Sequence, residues 1–444
     1  MAVRKLVVRP ACPGCRLLIW PGRAGLFLLL VLSRVPQAQQ QLQDQIQGQS
    51  LSSGLDQLAP SPMSVTPQTT DELAHPGEFQ VFPNAGPAPD SLDQPFQWGT
   101  VVFRPHLLYS FMYGNGVQSA PGVQNKTIIQ TLSVGMLVNL GSYWVLDYTP
   151  TLRYYSGTNF QNGFDQSVIL RGGKTYENWR LGLSQSYTTS SSPTVETGTQ
   201  VNQASYVTAL TASYELNNIM SMDLTANQDI EDAQALASSR TWSSLDWLNF
   251  KLTSALNLGV GGGGGYVDEQ TGPSQTYEQL ESRIGWRVSD KVSLQANAGF
   301  EDSQFSGSSR GALISPLYGA SLEYQMFQNT SIGLTAQSST SPSLFDGLVS
   351  QNTTYGATLS QRLLGKLNLS LGANYSTVDY LSSTTTAAGG SQNYTSYNAR
   401  LSCPLLQRGS FGITYQYSHT QSSATQNLGN YNTTQIGFFV GYTY

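Results

Sequence analysis

The sequence predicts an all-β chain: a transmembrane, antiparallel, up-and-down β-barrel of about eighteen strands, sixteen at the low end, behind a disordered N-terminal segment. Three observations predict it. Only 11% of the 444 residues are charged, while Gly (43) and Tyr (24) are abundant and mean hydropathy is still negative, at −0.23. After Trp98 the apolar pattern repeats every two residues. Tight turn signals in the same region alternate with longer polar stretches. Few charges combined with many small polar side chains suit a wall that meets lipid on one face and water on the other. The net charge of −5 is too mild to indicate a nucleic-acid partner.

Residues 1–38 read as a secretion signal. Arg4, Lys5, Arg9, Arg16 and Arg23 precede the apolar run GLFLLLVL, Gly25 to Leu32, which is too short to cross a bilayer as a helix. Cleavage is expected near Ala38. Cys12 and Cys15 fall within this segment, so Cys403 would be alone in the mature chain, without a disulfide framework or a metal-ligating cysteine pattern. Residues 39–95 open Gln-rich and then carry Pro60, Pro62, Pro67, Pro76, Pro83, Pro87, Pro89 and Pro95. So little apolar surface cannot offset the entropy of ordering, and a disordered periplasmic spacer is expected.

Residues 96–444 carry the barrel pattern. Ile436, Phe438, Val440, Tyr442 and Tyr444 alternate with Gln435, Gly437, Gly441 and Thr443. Leu367, Leu369, Leu371 and Tyr375 alternate with Asn368, Ser370, Gly372 and Asn374, and Val292, Leu294, Ala296, Ala298 and Phe300 with Ser293, Gln295, Asn297 and Gly299. Successive strand side chains point to opposite faces, so each segment has one apolar and one polar face. Short links are expected at 140–142, 217–218, 289–290, 328–329, 364–365 and 407–409, and longer loops at 114–124, 190–202, 381–391 and 421–430. That rhythm predicts about nine hairpins with strands of roughly 10 to 13 residues, the span of a tilted strand in a bilayer. Alternation is weakest over 165–177 and 240–251.

Aromatic residues fall into two bands. Tyr143, Trp144, Trp179, Trp247, Phe250, Trp286, Phe327, Phe411 and Tyr442 lie beside short links; Tyr109, Tyr113, Tyr154, Tyr187, Tyr277, Tyr380, Tyr397, Tyr417 and Tyr431 lie toward long ones. They are expected to form interfacial belts. Gly261 to Gly265 lack the Lys-Ser/Thr of a phosphate loop, and a kink or local widening is expected there.

No catalytic constellation is expected. His75 lies in the spacer, and His419 and Ser418 are consecutive, which puts them on opposite faces. Alternation places Arg104, His106, Asp147, Arg153, Asp223, Asp229, Glu281, Arg283, Arg287, Glu301, Glu323, Arg362 and Arg400 inward. A charge facing lipid at mid-depth costs about 2 to 4 kcal/mol, so a hydrated interior is their natural place. These are the pore-lining candidates. Cross-wall pairing that stiffens the barrel is the expected role of most of them, and setting solute preference that of the rest. No cofactor or metal is expected.

The ending QIGFFVGYTY, with Ile436, Phe438, Val440, Tyr442 and Tyr444 at alternate positions, resembles the signal read by the barrel-assembly machinery, which implies that machinery and outer-membrane lipid as partners. The opening segments VVFRPHLLYSFMYGNG and YWVLDYTPTLRYYSG resemble the large β-barrel porins found beside exopolysaccharide and exosortase loci, a likeness of pattern from residue 98 to residue 444. It implies a channel of the bacterial outer membrane carrying small hydrophilic solutes or exporting a polysaccharide. The competing expectation is a closed barrel that docks periplasmic partners through residues 39–95. A β-solenoid would need a fixed internal repeat, which the sequence lacks beyond its hairpin length.

Overall fold

A computed structural model describes residues 96–443 except 121–122, 193–199, 235–236, 271, 307–311, 344–347, 383–389, 407 and 424–429. The expected signal and spacer, residues 1–95, and Tyr444 lie outside the described residues.

The described chain is all-β, with elements β1 (Phe96–Trp98), β2 (Val101–Ala120), β3 (Val123–Leu140), β4 (Trp144–Tyr155), β5 (Gly163–Tyr176), β6 (Trp179–Ser190), β7 (Gln203–Glu215), β8 (Met220–Ala233), β9 (Ser239–Lys251) and β10 (Leu256–Glu269). It continues with β11 (Gln275–Ser289), β12 (Val292–Phe305), β13 (Leu313–Phe327), β14 (Thr330–Pro342), β15 (Leu348–Leu363), β16 (Leu367–Ser382), β17 (Gly390–Leu405), β18 (Gly409–Ser422) and β19 (Tyr431–Thr443). From β2 to β19 each strand pairs antiparallel with its sequence neighbours, and β19 returns to pair with β2, with Thr434 opposite Asn115 and Thr443 opposite His106. This closes an eighteen-stranded barrel with no free edge, the arrangement a hydrocarbon solvent demands of a sheet. The short β1 folds back on β2, pairing Phe96 with Phe103.

The links β3–β4, β5–β6, β7–β8, β9–β10, β11–β12, β13–β14, β15–β16 and β17–β18 are tight and share one end with β1 and the close of β19. By the usual asymmetry of such barrels this is the periplasmic end, and the opposite end is the outer one. At the β15–β16 link, Leu364 and Gly365 both have positive φ (50° and 70°), and Lys366 N–H donates to the Leu363 carbonyl at 3.1 Å. Two successive left-handed residues match the twist of the flanking strands, which is why Gly fits the second position.

The barrel strands run from 12 residues in β4 and β6 to 20 in β2; β4, β6, β7, β9, β14 and β19 fit the expected 10 to 13, and the others exceed it. The largest departure is at 114–124. In place of a loop, β2 and β3 continue as a ribbon with bulges between Asn115 and Val117 and between Gln118 and Ala120. Gly116, at φ 87°, makes the first bulge, and a Cβ there would sit 1.9 Å from the Asn432 carbonyl oxygen. Only glycine lets the ribbon lie this close to β19.

Outward positions are apolar and exposed, as Leu152 (54%), Leu210 (52%) and Ile413 (49%) illustrate, together with Leu371 and Tyr375 of β16 and Phe300 of β12. Inward positions are dominated by buried Ser, Thr, Asn and Gln. This face reversal is opposite to that of a water-soluble protein. One apolar cluster lies inward near the outer end: Met112, Val117, Ile129, Tyr155 and Phe160, with the Tyr155 and Phe160 rings stacked at 5.2 Å.

Two sequence expectations are corrected here. Four of the residues assigned to interfacial belts, Trp247, Tyr277, Tyr380 and Tyr431, are buried on the inward face. Their strand parity puts them in phase with polar inward neighbours, a distinction that a band drawn by distance from the turns ignores. The glycine run makes no kink. Gly261 to Gly265 lie in β10, paired without a register shift to both β9 and β11.

Candidate functional site: the inward face of the barrel

The glycines of β10 organise the inward wall. Gly259, Gly261, Gly263 and Gly265 share the inward parity of Val267, opposite Asn249, Trp247, Leu245 and Ser243 on β9 and Arg283, Glu281, Gln279 and Tyr277 on β11. With no side chains on β10, groups from β9 and β11 meet across it. The Arg283 guanidinium lies 4.3 Å from the Trp247 ring centre, hydrogen-bonds Asn249 and reaches Asp223 on β8 at 2.7 Å. A Cβ at Gly261 would fall 2.7 Å from the Trp247 ring, and one at Gly259 would fall 2.8 Å from Arg283. The glycine run therefore serves to let a cation cross a strand.

The β8–β9 ladder is interrupted between the pairs Asp223–Trp247 and Asn227–Ser243. Side chains replace it. Thr225 Oγ1 donates to the Leu245 carbonyl at 2.9 Å and accepts from Leu245 N–H at 3.1 Å. Asp246 accepts from Thr225 N–H at 3.2 Å and from Ser244 Oγ at 3.1 Å. Asp246 has the outward parity of Leu248 at mid-strand, whereas the other described outward charges lie near strand ends, and these hydrogen bonds to the wall are what offset its position.

Above the Arg283 crossing, toward the outer end, carboxylates gather. Glu301 is 1% exposed and accepts from Gln279 Nε2 at 2.6 Å and Ser303 Oγ at 2.9 Å. Glu281 accepts from Asn297 Nδ2 at 2.9 Å. Asp229 and Glu231 on β8 and Glu269 on β10 share this face and this end.

Other sequence candidates fall in local sets. His106 Nε2 contacts Thr149 Oγ1 at 2.9 Å and Asp147 at 3.9 Å, and Thr149 donates to Asp147 at 3.0 Å. Arg153 pairs with Asp165 at 3.2 Å, a partner that the sequence reading missed because alternation in β5 is weak. Arg400 stacks over Phe439 at 4.1 Å. Arg104, Arg287, Glu323 and Arg362 occupy inward positions near the periplasmic end, opposite Leu137, Ser293, Ser293 and Asn368 respectively. Phe439, 1% exposed, was omitted from the sequence pattern of β19, although strict parity with Gly437 and Gly441 marks it as inward.

His419 faces outward, beside Asn432 and 2.8 Å from Gln421, with Ser418 on the opposite face. Among the described residues no group of three or more His, Cys, Asp or Glu side chains is placed to hold a metal.

No family model matches the chain, and no curated protein matches it in sequence. Similar solved structures include the outer membrane protein OpdK from Pseudomonas aeruginosa, at 12% identity and a TM-score of 0.44, covering 77% of this chain and 98% of that one. OccK11 (OpdR) from the same organism is similar at 14% identity and a TM-score of 0.41, covering 77% and 95%. OprD from Pseudomonas aeruginosa is similar at 11% identity and a TM-score of 0.42, covering 77% and 95%.

Proposed function

We propose that the protein is a porin-like passive channel of the bacterial outer membrane for small hydrophilic solutes. One observation carries this reading: a closed wall of eighteen strands turns its apolar residues outward and its Ser, Thr, Asn, Gln and charged residues inward. A cylinder of this strand number leaves an aqueous passage in its interior, and a polar lining replaces part of a solute's hydration while the wall excludes lipid. Asn368, Ser370, Asn374, Asn398 and Gln416 supply neutral hydrogen-bonding groups on β16 to β18; Arg104, Asp147, Arg287, Arg362 and Arg400 supply charge on the same face, with the His106 imidazole beside Asp147.

Single-channel recording in planar bilayers tests the proposal. Discrete conductance steps from purified, folded barrel support it, and folded barrel that inserts without any conductance overturns it. Small saccharides and longer oligosaccharides added during recording divide the two cargo classes expected from the sequence: a small-solute channel is blocked transiently by the former, whereas a polysaccharide exporter is occupied longer as chain length grows.

A further inference from the structure

The inward charges are sorted along the barrel axis. Among the described residues, those near the outer end are acidic: Asp165, Asp229, Glu231, Glu269, Glu281 and Glu301, with Arg153 as the basic exception, paired to Asp165. Near the periplasmic end they are basic: Arg104, Arg171, Lys251, Arg287, Arg362 and Arg400. Among the described periplasmic acids, Glu215 and Asp223 pair with Arg180 and Arg283, leaving Asp147, beside the His106 imidazole, and Glu323 as the other carboxylates of that half. The boundary falls in β11, between Glu281 and Arg283.

We propose that this arrangement polarises the channel: an outer mouth that gathers cations, a periplasmic mouth that gathers anions, and asymmetric conduction as the result. The inference rests on the channel reading and adds a solute preference to it, for molecules that carry a cationic group when they arrive from outside. Fixed charges on low-dielectric walls concentrate counter-ions over about one Debye length. When the outer side is positive, cations leave their rich zone inward and anions leave theirs outward, so both carriers fill the lumen. When it is negative, both are drawn back and the boundary is depleted.

The test is current against voltage across single barrels, in potassium chloride at about 0.1 M, where screening acts over ~10 Å, and at about 1 M, where it acts over ~3 Å. Orientation is fixed by Asn430→Cys, between β18 and β19, in a Cys403→Ser background, labelled from one side with an impermeant thiol reagent. The expected result is a conductance at least about twofold higher with the outer side positive at low salt, falling toward equality at high salt as the charges are screened. Glu231→Gln with Glu281→Gln, and separately Arg362→Gln with Arg400→Gln, each reduce the asymmetry while barrels stay heat-modifiable. Conducting barrels with symmetric current at low salt, or with the opposite sign, overturn the polarisation and leave the channel standing. Inserted barrels that never conduct overturn both.

Discussion

At the scale of single residues, the most consequential positions carry no side chain. A Cβ on Gly263 would lie 2.0 Å from the Ser244 carbonyl oxygen, so Gly263→Ala must push two hydrogen-bonded strands apart. Overpacking of this kind costs about 1 to 3 kcal/mol. The nearest atom to a Cβ on Gly262 is 4.0 Å away, and Gly262→Ala is expected to stay within about 0.5 kcal/mol of the parent. Equilibrium denaturation of the two variants in detergent micelles compares them directly, and equal stability would remove the close-approach account of the run. Asp223 offers a second case. It receives Arg283, Asn249 and Ser213 and is only partly exposed. Asp223→Ala leaves the guanidinium without its anion and should cost about 1 to 3 kcal/mol, whereas Asp223→Ala combined with Arg283→Met should recover part of that loss. A double variant no more stable than the single one would mean that the pair contributes nothing as a pair.

At the scale of elements, the seam between β19 and β2 closes the barrel. Phe438 on β19 stacks on Phe111 of β2 at 5.5 Å and approaches Phe411 of β18 at 6.5 Å, so one outward ring joins three strands. Phe438→Ser removes these contacts and interrupts the alternating apolar row of the C-terminal strand. The expected outcome is a marked drop in heat-modifiable, detergent-folded protein in the outer-membrane fraction, with Thr434→Ser as the control that leaves yield unchanged. A Phe438→Ser chain that accumulates at the parent level would show that the row plays no part in assembly.

At the scale of the whole molecule, the two faces of the wall experience different solvents. Leu210 is outward, half exposed and mid-strand in β7. Arginine there would meet hydrocarbon, and Leu210→Arg is expected to destabilise the barrel in lipid vesicles by about 2 to 4 kcal/mol relative to Leu210→Ala. Denaturant titration of vesicle-inserted protein measures the difference; indifference to the charge would mean that the outward face does not contact lipid.

The sequence by itself determined the fold class, the closing strand and the inward phase of Arg283, Glu301 and their fellows, because a period of two is a local property and a buried charge has few alternatives to the wet face. It misassigned Trp247 and Tyr277, since distance from the turns gives depth along a strand and not facing; for Trp247 the parity count also runs through a weakly alternating segment, whereas for Tyr277 the parity shared with Glu281 already marks it inward. What only the tertiary structure decided is which inward groups meet. Asp223 and Arg283 stand on β8 and β11, and their contact depends on the bare glycines of β10 between them. The segregation of acids from bases also appears only after every strand is laid in register with one end up, because consecutive strands run in opposite directions and reverse the order of their charges along the chain.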